Sequence, residues 1–532
     1  MGNDVVIIGG GLSGLYCSAL LSKKGIKVSI IEQHLTVGGL AAGFFRKGYY
    51  FDSSIERFIA DNSAGYFDQL GIYEKLDFQS HTAALNIEGK IYTPQNINEY
   101  FEVCYEAFPQ YKEGLMRFYV DYVKDISVFM EVNAKTSPLS YTGLKQISQF
   151  IKMSRDMIKK RCLRGASLMV KSLDLDLEET LSNYIDRNSS LFSLLTGGDH
   201  FDIFQKNGHK NIATFIGALG AIYSLNKAPR KGFQNLCDEI MEIAKTNGSS
   251  IITNAKVKRI IIQDSKAVGV EYIKGGQVKT MSADIVINAA DLKKAYSELI
   301  PKEYSSKEVL HNLEESDITH PMPIMYIGLK VSPDRVKECF SGMNEMVYYP
   351  KLITNNNTFD EQDYYKYAPL TFHTTCLHNA DHAPEGCTNI QVYLNCAPKG
   401  WQDNWGIIDG KKTERYKEIK EMVKEDVLKN LEHVIPEVAD RSLIEVCELG
   451  TPYTIERYTG NSGGSHCGFT WDRSRNKVNS GLGKFHDKHE NIRNLYFIGH
   501  WTGYMGGVTN ALWSAKRLAS YIMKPRAISR LH

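Results

Sequence analysis

Residues 4–11 read Asp-Val-Val-Ile-Ile-Gly-Gly-Gly, and no other stretch narrows the fold as much. An apolar, β-branched run without polar alternation suits a strand covered on both faces. It stops on Gly9-x-Gly11-x-x-Gly14 and passes into a helical pattern with Leu12, Leu15, Ala19 and Leu20 on one side. Val28 to Glu32 then reads as a second strand ending in an acid. Each glycine has its own task in such a unit. Gly9 makes the tight turn, Gly11 lets a pyrophosphate approach the backbone, and Gly14 lets the helix pack on the strand. Leu12 and Ser13 open the helix, whose free N–H groups and dipole attract phosphate. Glu32, followed by Gln33, stands about 20 residues past the turn, where a carboxylate accepts ribose hydroxyls. A bare glycine motif is common by chance, but here strand, glycines, helix, second strand and acid agree. Together they predict a dinucleotide site.

The remaining composition restricts the alternatives. A chain of 532 residues is long for one compact core, so two or three structural units are expected. A net charge of +2 with 23% charged residues argues against nucleic acid as a partner. The ten cysteines are scattered without a Cys-x-x-Cys, and Asp199, His200, Asp202 and His209 match no ligand spacing. Reduced thiols and no metal site are therefore expected. The first strand begins at once, and no apolar run approaches the roughly 20 residues that span a bilayer. A cytoplasmic chain is expected.

Val37-Gly38-Gly39-Leu40 offers a second loop able to lie close to the dinucleotide, and Phe44 to Phe51 reads as a hairpin about Lys47-Gly48. From about 60 to 224 the pattern is mostly helical. Pro229-Arg-Lys-Gly232 leads into a further helix. Ser250 to Ile262, Ala267 to Tyr272 and Ser282 to Ala290 read as strands of a meander returning to the first sheet, with Lys274-Gly275-Gly276 as a turn. Pro321 to Val331 and Asn389 to Asn395 are strand-like, and Thr413 to Leu431 is helical. Asn494 to Gly499 is a buried strand ending on glycine, followed by a loop and a helix. The expected fold is α/β. A discontinuous Rossmann-like domain is drawn from 1–95, 225–300 and 481–532, with a mostly helical lid at 96–224 and a mixed α+β substrate domain at 301–480.

The N-terminal motif through Gly38-Gly39 and Asp52 resembles the flavin adenine dinucleotide (FAD) site of the amine oxidase and phytoene desaturase superfamily. Pro229 to Gly232 with Asn288-Ala-Ala-Asp291, and Asp381-His-Ala-Pro-Glu-Gly386, are similar to the same group. Thr451 to Gly460 and Tyr496 to Val508 are similar to its branch of carotenoid isomerases and retinol saturases. The resemblance runs almost end to end. It implies a GR2-type FAD domain in which Val257 meets adenine through its backbone. Gly499, His500, Gly507 and Val508 would lie by the flavin ring, where a helix start stabilises negative charge. Without the resemblance, Val257 reads as an ordinary strand residue and Gly506-Gly507 as a turn.

The resemblance further implies an FAD-dependent oxidoreductase that desaturates, saturates or isomerises a lipophilic polyene or isoprenoid-like substrate by hydride transfer with flavin N5. A flavin amine oxidase shares the FAD domain, and a non-catalytic prenyl carrier of the Rab escort and dissociation-inhibitor kind shares the fold without FAD. Four departures from the family pattern stand out. Leu40 replaces a basic residue after the glycine pair, Asp52-Ser-Ser54 replaces Asp-x-Gly, Glu56 stands where related saturases carry His, and His500 stands where an acid or Gln is common. They bear on the reaction. Glu56 reads either as a proton donor or as a salt-bridge partner of Arg57. His500 reads either as a donor to flavin or ribityl oxygen or as a loop cap. Tyr504, like Tyr458, is a polar point in an apolar pocket. Finally, Lys145, Lys152, Arg155, Lys159, Lys160, Arg161, Arg164 and Lys171 interleave with apolar residues and face one acid of their own run, Asp156. Such a stretch reads either as a peripheral contact with an anionic membrane or as a solvated helix face.

Overall fold

The structure, a computed structural model, describes residues 3–55, 57–58, 60–196, 211–225, 227–352, 364–394, 396, 401–470, 488–502 and 506–524. Strand β1 (Asn3–Ile8) lies inside a parallel sheet. On one side Val5 is in register with Val28 of β2 (Val28–Ile31), and on the other with Ile285 of the strand Gln277–Asn288. Leu495–Phe497 and Ser250–Ile252 extend the sheet in parallel at either end of this core. Val5, Val6 and Ile7 have no exposed surface, as an unalternating apolar run requires. Helix α1 (Leu12–Ser22) is buried along its whole length, because it packs between the helices Gly232–Thr246 and Gly507–Ile522. A helix covered on all sides carries no polar face, so its small residues and hydroxyls serve packing instead. Ser18 Oγ, for example, bonds Ser249 Oγ at 2.9 Å.

The stretch from Ser250 to Ile262 is two strands rather than one. Asn254 takes a left-handed conformation (φ 53°) and parts Ser250–Ile252 from Ala255–Gln263. The latter starts an antiparallel meander through Lys266–Lys274 to Gln277–Asn288. That last strand changes character along its length. Its exposed first half belongs to the meander, and its buried second half pairs with β1.

A second sheet follows the order Ile444–Gly450, Ile324–Leu329, Thr388–Leu394, Leu370–His373, Glu345–Tyr349, Ala83–Ile87, Lys90–Tyr92. Ala83–Ile87 and Lys90–Tyr92 fall in a region read as helical and, by sequence, within the first domain. Two left-handed residues, Glu88 (φ 49°) and Gly89 (φ 94°), join them as a tight hairpin. All five residues of Ala83–Ile87 are buried in parallel register against Glu345–Tyr349. The helix Glu414–Glu432 covers one face of this sheet through Val423, Val427 and Leu431. The hairpin Gly43–Arg46 and Tyr49–Asp52 packs on the other face. There Gln391 Nε2 donates to Asp52 O at 2.9 Å and Asn389 Nδ2 to Tyr50 O at 2.7 Å, so two strand side chains replace a ladder between the units.

A helical layer completes the fold, with Lys124–Thr136 packed on Gly143–Lys159 and Leu163–Lys171. The approach is close at Gly165, where a Cβ would lie 2.0 Å from Asp125 O. Gly143–Lys159 has no buried residue. Leu144 is 85% exposed, and Ile147, Phe150, Ile151 and Ile158 are also exposed. More acids oppose the basic run than its own sequence shows. Lys160 lies 3.7 Å from Glu131 and Arg164 3.2 Å from Asp125, both on the preceding helix. No helix among the described residues is long and apolar enough to cross a membrane. All ten cysteines are unbridged, as expected.

Candidate functional site

One cavity of about 860 Å³ runs from the glycine turn at the end of β1 to the underside of the helical layer. At the turn, the first N–H groups of α1 have no side-chain cap, so its positive end is left to whatever enters the cavity. Gly11 has ordinary extended backbone (φ −70°, ψ 176°), and a Cβ built on it would find its nearest neighbour, Gly38 O, 4.0 Å away. Nothing in the protein itself demands glycine there. Gly14 is the opposite case, since its Cβ would come 2.2 Å from Gly9 O. Gly9 turns the chain at φ 100°.

Glu32 closes this end of the cavity. Its two carboxylate oxygens accept backbone N–H groups of Gly10 at 2.7 Å and His34 at 2.8 Å, which fix the side chain although it is buried. Asp291, on the opposite wall, accepts from Lys294 N at 2.7 Å and Ser462 N at 2.6 Å. Burial raises its carboxyl above the ordinary range against the pull of those donors. Val257 lines the cavity from an edge strand, so one side of its backbone carries no ladder partner.

Of the expected dinucleotide residues, Gly9, Gly11, Leu12, Ser13, Glu32, Gln33, Gly38, Gly39 and Leu40 meet at this cavity together with Val257, His500, Gly507 and Val508. Gly14 and Gly499 do not line it. Gly14 serves helix packing, and Gly499 turns the chain at φ 110° while its N–H donates to Ser514 Oγ at 2.9 Å. A second uncapped helix start, Gly506-Gly507, faces the middle of the cavity. Cys467 packs so tightly there that a Cβ on Gly506 would lie 2.4 Å from its Cβ. Glu56 and Tyr504 lie outside the described residues, as do Asp199, His200, Asp202 and His209.

Reading the sequence missed His466. It lines the cavity and its Nε2 meets Ser54 Oγ at 2.5 Å, although the two residues are 412 positions apart. It also missed the partner of Arg57, which lines the cavity and whose guanidinium bonds Glu345 in a buried pair. No local pattern signals either. The far end of the cavity is mostly apolar, lined by Phe129, Met130 and Met169 and by Ala213, Gly217 and Ala218 of the helix Ile212–Tyr223, with Asn133 and Thr214 among them. Leu139 both lines the cavity and is 56% exposed, so the wall meets solvent beside the amphipathic helices. Lys516 Nζ anchors that loop by donating to Leu139 O at 2.8 Å and Tyr141 O at 2.6 Å, and burial lowers its pKa to about 8.

Two uncapped helix starts and a fixed carboxylate about one cavity define a dinucleotide-binding α/β protein. The model of the flavin containing amine oxidoreductase family matches residues 12–321, more than half of the chain, and the chain belongs to that family. It is an FAD-dependent oxidoreductase, and the open backbone at Gly11 with the uncapped start of α1 fits that cofactor. The all-trans-retinol 13,14-reductase of Danio rerio is 23% identical over 96% of this chain and 84% of its own length. The 1-hydroxycarotenoid 3,4-desaturase of a Flavobacterium species is 23% identical over 98% of this chain and 99% of its own. Among solved structures, an oxidoreductase from Methanosarcina mazei shares the fold with a TM-score of 0.58 at 15% identity, over 98% of this chain and 100% of that one.

Proposed function

We propose that this enzyme remakes carbon–carbon double bonds in a lipophilic polyene or isoprenoid-like substrate. The observation that carries this reading is the continuity of one cavity from the glycine turn to an apolar end under the helical layer. Two relatives named for retinol and for a hydroxycarotenoid, matched over most of the chain, support the substrate class. Gly9, Gly11, Leu12 and Ser13 would hold the pyrophosphate of FAD on backbone N–H groups, with Gly38, Gly39 and Leu40 closing over it. Glu32, with Gln33 beside it, would take the ribose hydroxyls, and the edge backbone of Val257 the adenine. The helix start at Gly507 and Val508, with His500, would face the ring.

Bound FAD supplies hydride transfer to or from a substrate carbon. The chain's own residues do the rest. Phe129, Met130 and Met169 exclude water, and the small residues of Ile212–Tyr223 leave width for an extended chain. His466 and His500 are imidazoles on the cavity wall, as is His34 beside Glu32, and the first two would hold the proton that accompanies the hydride. Glu56 and Tyr504 are further candidates for that proton. The exposed apolar and basic face of 143–171 would rest on an anionic bilayer surface, beside the opening at Leu139.

The test is anaerobic incubation of the FAD-loaded protein with retinoids, carotenoids and primary amines, following flavin absorbance and product mass together. Bleaching or reoxidation by a polyene, with gain or loss of hydrogen or a changed isomer, is expected. Reduction by amines alone would sink this reading and leave an amine oxidase.

A further inference from the structure

The second sheet carries a group of side chains that the flavin reaction does not use. Glu345 opens the strand Glu345–Tyr349 and stands directly opposite His373, the last residue of Leu370–His373. On its other side Glu345 is in register with Ala83. His81 precedes Ala83 by two residues, so strand alternation turns it to the same face. Three chain segments thus converge one carboxylate and two imidazoles, with their ligand atoms all within 4.8 Å of one another and all three residues buried.

Hydrogen bonding within the group leaves its focus unfilled. His373 Nδ1 and His81 Nδ1 lie 3.7 Å and 4.0 Å from Glu345 Oε2, too far for hydrogen bonds. Glu345 Oε2 accepts none, although it has no contact with solvent. The other oxygen, Oε1, is held by Arg57. Asn344 fixes the tautomer of His81. Its Oδ1 accepts from Thr82 N at 2.9 Å, so Nδ2 is the atom 3.2 Å from His81 Nδ1. Asn344 Nδ2 thus donates into the one lone pair of His81 Nδ1, a bond that an ion bound there would replace. A buried carboxylate oxygen without a donor is costly unless something electropositive lies beside it.

We propose that His81, Glu345 and His373 bind a divalent transition-metal ion of the zinc or iron(II) class. Two imidazoles and a carboxylate are ligands such ions accept, and three protein ligands leave a position for water. The strands fix the donors in advance, and Arg57 orients the carboxylate through its other oxygen. The ion would tie Glu345–Tyr349, Leu370–His373 and the segment leading into Ala83–Ile87 together. This departs from the sequence reading, which expected no metal, and it stands whatever the flavin substrate is.

The test uses the FAD-loaded protein, stripped with chelator, incubated with zinc(II) and passed through gel filtration. About one equivalent is expected to stay with the wild type, and an X-ray absorption edge should show imidazole and oxygen ligands without sulfur. His81→Gln should lose that equivalent and keep its FAD, which separates the site from other surface histidines. Asn344→Ala, which removes the group competing for His81 Nδ1, should leave that equivalent bound. Wild type that holds no more zinc than His81→Gln, or an edge without imidazole, overturns the proposal and leaves a buried carboxylate paired with Arg57. Should His81→Gln not fold, the wild-type stoichiometry and edge spectrum decide alone.

Discussion

The two ends of the cavity use glycine for different ends. At the turn after β1, Gly14 is required by the protein, since any side chain would strike Gly9 O, whereas Gly11 faces open space. At the helical end, Gly217 sits mid-helix with no atom within 4 Å of a built Cβ, in the wall of the same cavity. Glycine inside a helix is unfavourable by roughly 0.5–1 kcal/mol against alanine, so a glycine that packing does not demand marks space kept for something else. Gly11 and Gly217 belong together in this respect, although the first lies in a recognisable motif and the second in none.

That pairing can be broken by substitution. The largest effect is expected for Gly14→Val, which should cost several kcal/mol and abolish cooperative denaturant unfolding of the apoprotein, because backbone on the far side cannot yield. Gly11→Val should leave the apoprotein's unfolding midpoint close to wild type yet purify without FAD. A yellow, fully loaded Gly11→Val would remove the pyrophosphate assignment. Gly217→Leu should keep FAD and gain up to about 1 kcal/mol of stability, while turnover of long polyenes drops relative to short ones. Equal turnover of both lengths would show that the substrate does not reach this helix.

A smaller effect separates the outer surface from the cavity. Charge reversal at Lys159, Lys160 and Arg161 should weaken flotation with anionic vesicles at low salt and leave turnover of detergent-dispersed substrate unchanged. Part of the attraction is already spent on Glu131, so the loss should be partial. Unchanged flotation would return these helices to the solvent.

The smallest concerns acid. Burial holds His382 down to about 4, so the folded protein keeps it neutral while the unfolded chain takes up a proton near pH 6.5. Its contribution is complete above pH 6.5 and is lost as pH falls from there towards 4. His81, His320, His378 and His489 are lowered as well, with the same sign. Urea midpoints should therefore fall across that window, and slightly less steeply in His382→Asn.

What could be read from the sequence follows the same division. Gly9, Gly11 and Glu32 are close in the chain, so local geometry alone brings them to one cavity, and the roles proposed for them rest on that spacing. The helix Glu414–Glu432 was legible for a similar reason, since its pattern is periodic. His466 against Ser54, or Glu345 between His81 and His373, are brought together only by strand register and by the packing of two sheets. An isolated histidine carries no spacing to betray it. The strand Ala83–Ile87 was hidden because its pairing partner, Glu345–Tyr349, lies far along the chain.

The order of strands in the first sheet has a consequence for biosynthesis. β1 is made well before its second neighbour, which comes only with Ala283–Asn288. Leu495–Phe497 comes almost 490 residues after β1, and the helix start at Gly507 that closes the cavity about 500. At about 5–20 residues per second, that interval lasts roughly 25–100 s. Throughout it the nascent chain presents an unfinished apolar sheet edge and cannot clasp its cofactor. Loading of FAD therefore waits for the strand and helix start at 495–507, and demand for chaperones should depend on how fast the stretch between is translated.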